Sequence, residues 1–97
     1  MDKFSIESIV TLEEYKSKLI GKIYKLLPLR EEKKDWQSYL DGLLIELIGA
    51  NDLFADSYEL GIVLANLNGL RITNTAFHLY RKIVLDSISI VKKGGAV

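Results

Sequence analysis

The sequence predicts an all-α protein: a compact antiparallel four-helix bundle formed by a single domain over residues 1–97. Three observations carry this prediction. Apolar residues recur at helical spacing in four segments, near 12–27, 35–49, 57–68 and 75–92. Each segment is preceded by a residue of capping type. The 97-residue chain is 48% hydrophobic with one proline and no cysteine, a composition that excludes disorder and a disulfide-stapled fold.

The first helix opens on Thr11-Leu12-Glu13-Glu14, a capping-box pattern in which Thr and Glu satisfy each other's backbone N–H groups. Leu12, Tyr15, Leu19, Ile23, Leu26 and Leu27 then share one side, with Ile20 and Tyr24 at its edge. Pro28 is expected to end it, because the proline ring disfavours the helical conformation of the residue before it. Asp35 caps the second helix, whose face carries Trp36, Tyr39, Leu40, Leu43, Leu44 and Leu47 and which is expected to stop near Gly49. The third starts at Asp56 with Glu59 in its first turn, and Asn68-Gly69 reads as its stop. The fourth follows Asn74 or Thr75 as cap and turns Phe77, Tyr80, Ile83, Val84, Ile88 and Val91 inward. Lys92 and Lys93 favour the negative end of its dipole, and Gly94-Gly95 closes it. The β-branched run at 83–91 is the one stretch that also fits a strand, and its length and caps favour helix. Residues 1–10, with Phe4, Ile6, Ile9 and Val10, read as a short N-terminal arm or extra turn.

The third helix poses the functional question. At about 100° per residue only Glu59 and Asn66 mark a polar strip. Val63, Leu67, Leu60 and Leu64 lie on one flank, with Ala65, Tyr58 and Ile62 on the other. A peripheral bundle helix needs an apolar stripe only a little over about 100° wide. This helix therefore sits either at the centre of the fold or on a flank pressed against a second chain. The back of the second helix carries Ser38, Gly42, Ile45 and Gly49, small residues that allow close approach. A glycine inside a helix costs about 1 kcal/mol against alanine, so two on one side ask for a reason. The expected interface is accordingly Ser38, Gly42, Ile45, Gly49, Tyr58, Ile62, Val63 and Leu67. The expected partner is another protein, with a homodimer as the leading form.

The charges divide unevenly. Thirteen basic and thirteen acidic side chains cancel overall, which weakens any case for bulk phosphate binding. Residues 35–70, however, hold six acids and no Lys or Arg, so an acidic middle is expected to meet basic flanks within or between molecules. A basic strip of Lys18, Lys22, Lys25, Lys33 and Lys34 is the alternative site, for an anion or nucleic acid. A helix-turn-helix reader is disfavoured by the long link from Asn68 through Ile72 to the next cap.

No chemistry emerges. His78 is the only histidine and projects with Arg81 and Lys82, a solvated position. One histidine without cysteine furnishes no ordinary zinc site. Nothing places Ser87 or Ser89 with an oriented base. The acids Asp35, Asp52 and Asp56 read as caps and turn residues, and neither calcium-loop nor phosphate-loop spacing occurs. The reading is therefore a non-enzyme without cofactor or metal. No secretory signal or membrane span is evident, which with the missing cysteines makes the cytoplasm the expected location. In size and helix count the chain resembles compact bacterial or phage accessory proteins, including bacteriocin-immunity proteins and small phage inhibitors. That likeness is architectural, and it implies an adaptor, inhibitor or immunity-type role.

Overall fold

A computed structural model of the chain describes residues 11–72 and 75–93. The N-terminal arm, the Asn74 cap and the Gly94-Gly95 stop lie outside the described residues. The elements run α1 (Leu12–Tyr24), α2 (Leu26–Glu31), α3 (Trp36–Leu53), α4 (Tyr58–Ile72) and α5 (Phe77–Lys93). The architecture is the all-α bundle that the periodicity predicts, and the 83–91 run is helical. Among the described residues there is no strand.

Capping chemistry sets two of the starts. The Glu14 N–H donates to the Thr11 hydroxyl at 3.1 Å, while Glu14 Oε1 accepts the Thr11 N–H at 2.9 Å. Asp35 accepts from the Ser38 backbone at 3.1 Å and from its hydroxyl at 2.8 Å. These bonds satisfy N–H groups that a helix start otherwise leaves without acceptors.

Several boundaries differ from the expectation, each for a local reason. The first helix stops at Tyr24 rather than 27, and Pro28 does not end it. The chain turns at Lys25 and restarts as α2, with Pro28 in the first turn. There the missing N–H costs nothing, because first-turn N–H groups have no acceptor within their helix. The short α2 closes on a Schellman arrangement: Lys33 N–H donates to the Arg30 carbonyl at 3.0 Å and Lys34 N–H to the Leu29 carbonyl at 2.8 Å. Lys33 sits at φ 59°, the left-handed position that usually belongs to glycine.

Gly49 does not terminate the second predicted helix, which continues as α3 to Leu53. Ala50, one residue on, is fully buried and holds the backbone in register with the core. Gly69 likewise lies inside α4. The helix is drawn past it by Leu70, which is buried, and by Arg71, whose Nε meets Asp41 Oδ1 at 2.7 Å. A glycine stops a helix only when the residues after it gain nothing from continuing. The last helix starts at Phe77 rather than 75, with the Ala76 carbonyl accepting the Leu79 and Tyr80 N–H groups.

Side-chain links fix the topology. Tyr15 stacks near Phe54 and Lys22 reaches Glu46, so α1 runs antiparallel to α3. The Arg71–Asp41 pair and the approach of Asn51 to Gly61 make α3 and α4 antiparallel. The Tyr80 hydroxyl donates to the Leu26 carbonyl at 2.8 Å, which sets the start of α5 beside α2. The result is an up-down bundle whose core includes Leu19, Ile23, Leu40, Leu47, Leu60, Val63, Leu67, Tyr80 and Val84. The Arg30 guanidinium stands 4.5 Å from the Tyr80 ring centre and 5.4 Å from that of Trp36, and it donates to the Thr75 carbonyl. This clamp holds α2 over the end of the bundle.

Candidate interaction surface

The helix that raised the question, α4, is a flank and not the centre. Leu60, Val63, Leu67 and Leu70 face inward and are buried. This corrects two expected interface residues: Val63 and Leu67 belong to the core, because they lie on the side of α4 toward α3 and α5. Glu59 is also misplaced by the sequence reading. It does not mark a solvated strip but is buried, with its Oε2 2.5 Å from Lys16 Nζ and side-chain exposures of only 9% and 6%. The hydrogen bond from Lys16 holds the Glu59 carboxyl below the ordinary carboxylate range. Lys16 lies among Leu12, Leu19, Ile20 and Ile23 on the wheel of α1. A lysine in the middle of an apolar stripe was the available signal for this partner.

The outward side of α4 is apolar. Tyr58 is 75% exposed and Ile72 69%, and across on α3 Ile45 is 64% and Ile48 58% exposed. Ile62 is partly exposed and Ala65 exposed between them. Arg71 and Asp41 bridge the two helices at one end of this face, and Asp52 is exposed at the other. Exposed apolar side chains of this number on adjacent helices are the ordinary mark of an association surface.

The remaining expected residues divide. On the wheel of α3, Gly42 and Gly49 lie on the flank of Ile45 toward Glu46, which is the α1 side. Ser38 and Gly49 are exposed, and a Cβ at Gly49 would meet nothing within 4 Å. Tyr58 and Ile62 turn the other way and line an open groove of about 530 Å³ against Asp86, Ile90 and Lys93 of α5. The structure therefore does not join the small-residue side of α3 to Tyr58 and Ile62. What it joins is Ile45, Ile48, Ala65 and Ile72, of which only Ile45 was expected. Ile72 escaped notice because the predicted helix ended at 68, and Ile48, inside the predicted 35–49 helix, lies off the small-residue side that was weighed.

The basic strip is not one continuous row. Lys22 is engaged by Glu46, with Nζ 2.7 Å from Oε1 and 2.8 Å from Oε2. Lys25 stands over the Tyr39 ring at 5.5 Å. Lys33 and Lys34 lie beyond the α1–α2 break, in the turn before α3. Lys18, Lys33 and Lys34 are exposed, with Lys18 on α1 and the two others in the turn before α3.

His78 is exposed on α5. Among the described residues no group of three or more His, Cys, Asp or Glu side chains comes together, and no helix is long and apolar enough to cross a membrane. Burial pushes the Tyr80 phenol up to about 12, against the opposing pull of Arg30, so it is a neutral structural donor. Comparison with known proteins gives no family model, curated protein or solved structure that matches this chain.

Proposed function

We propose that the chain is a non-catalytic protein-interaction module that self-associates through the outer faces of α3 and α4. The observation that carries this reading is the run of exposed apolar residues Ile45, Ile48, Ala65 and Ile72 on two adjacent helices. The occupant we assign is a second copy; Arg71 at one end of the face is already paired with Asp41, so the contact rests on the apolar side chains and not on charge.

The test is size-exclusion chromatography with light scattering on the wild type, Ile48→Asp and Ile72→Asp. Both positions are exposed, so the variants keep their helical circular-dichroism spectrum. The wild type gives a mass that rises with loading concentration, and each variant elutes as a monomer. Variants that associate as the wild type does would remove this face from the account.

A further inference from the structure

The groove between α4 and α5 is a feature apart from the outer face of α3 and α4. The Tyr80–Leu26 bond sets the start of α5 beside the end of α1, so α5 runs antiparallel to α1 and to α4. Tyr58 and Lys93 therefore share one end of the groove, Asn66 and Asp86 share the other, and Ile62 lies level with Ser89 and Ile90 between them. Tyr58 and Ile62 are exposed along it. Its volume of about 530 Å³ is within the range of sites that take a small ligand or a few side chains. The Tyr58 end adjoins the point where the chain enters the bundle. Glu59 lines the groove and is bonded to Lys16 of α1. Thr11, the cap of α1, precedes Lys16 by five residues and so lies about 7.5 Å farther toward that same end.

The residues ahead of Thr11 have the composition and the reach to fill this groove. Met1, Phe4, Ile6, Ile9 and Val10 are apolar, and Phe4 and Ile6, two apart, fall on one side of an extended segment. Asp86 is already paired with Lys82 at 3.0 Å, so Lys93 is the charge that the mouth of the groove offers, and Glu7, next to Ile6, has the opposite sign. From the level of Thr11 to that of Ile62 and Ser89 is about 12 Å along the bundle, and α5 packs beside α1 at one helix spacing of about 10 Å. The path is thus roughly 16 Å, against about 20 Å spanned by six extended residues. A tether this short also gives the segment an effective concentration on the order of millimolar, which a separate partner chain lacks.

We infer that residues 1–10 of the same chain are the occupant of the α4–α5 groove, folding back over the end of the bundle with Phe4 and Ile6 against Ile62 and Ile90 and Glu7 toward Lys93. The site is filled in cis. It lies on a different face from the association surface, so it stands whether or not the protein self-associates.

The chain contains no cysteine, so introduced thiols report only their own positions. Two double variants of the full chain are treated with a short bismaleimide at high dilution: Ser5→Cys with Ser89→Cys, and Ser5→Cys with Ser17→Cys. Ser89 is half-buried in the groove, while Ser17 is exposed on α1 and outside it, and each change is nearly isosteric. Ser17 is only six residues from Thr11, about 9 Å along α1, so an undocked segment would reach it at least as fast as it reaches Ser89. The expected result is an intramolecular link, seen by intact mass, that forms at least about tenfold faster at Ser89 than at Ser17. Adding Phe4→Asp to the Ser89 pair, a change confined to the segment, should abolish that preference. Equal rates at the two sites, a faster link at Ser17, a preference that survives Phe4→Asp, or links formed only between chains would each overturn the inference.

Discussion

The buried Lys16–Glu59 pair fixes the first turn of α4, and with it the outward direction of Tyr58. Its loss can be worked out in advance. Replacing Lys16 by Met removes the ammonium and keeps most of the side-chain volume, leaving the Glu59 carboxylate buried with no cation at 2.5 Å. Breaking a buried pair in this way costs about 3–5 kcal/mol. Because both side chains keep a small exposure at the end of the bundle, the lower limit of about 3 kcal/mol applies. For a domain of this size that lowers Tm by roughly 12–24 °C. Lys16→Met combined with Glu59→Leu removes both charges, and apolar replacement of a buried pair is often neutral or stabilising. The double variant should therefore recover most of the loss, giving a coupling energy of about 3 kcal/mol or more in a double-mutant cycle.

The assay is equilibrium urea unfolding of all four proteins at constant m. Its pH dependence has a defined sign. Glu59 is depressed in the folded state, so its contribution is fully present above the ordinary carboxylate value of 4.5 and is lost as pH falls through the lower folded value. The Lys16→Met protein should lack that acid loss. Single substitutions that cost under about 1 kcal/mol, or costs that simply add in the double variant, would refute the pair as a structural element.

Three further outcomes follow from single sites. Lys33→Gly should stabilise the protein by about 1 kcal/mol, because glycine takes the left-handed position without the Cβ penalty, read as a rise in urea midpoint. It also removes one member of the basic strip, so unchanged self-association would separate that strip from the interface. Ser87→Ala should stabilise by about 1 kcal/mol in thermal unfolding, since among the described residues the buried Ser87 hydroxyl has no hydrogen-bond partner. Arg30→Lys should cost about 1–2 kcal/mol in urea unfolding despite keeping the charge, because the planar guanidinium both stacks on Tyr80 and reaches the Thr75 carbonyl.

The sequence made the helices and most of the core legible because both follow from a 3.6-residue period that local chemistry reinforces. Thr11 and Asp35 were readable as caps because the capping residue and the N–H it satisfies are three positions apart. Helix ends were not readable where a tertiary contact overrode a local stop. Leu70 and Arg71 gain burial and an ion pair by continuing past Gly69, and nothing in the neighbouring residues announces either partner. Pro28 was misread because the same ring that ends one helix is tolerated in the first turn of another. The candidate surface was half legible for a related reason. An apolar wheel identifies a surplus of hydrophobic surface, but which flank faces the core depends on the placement of α3 and α5. That placement put Val63 and Leu67 inside and left Ile48 and Ile72 outside.

Sedimentation equilibrium on the unmodified chain tests the central claim most directly. The self-association account predicts an apparent mass that climbs with concentration from the 11.0 kDa protomer toward twice that value, and a return to the protomer in Ala65→Glu. A single species at 11.0 kDa across the whole concentration range would contradict it.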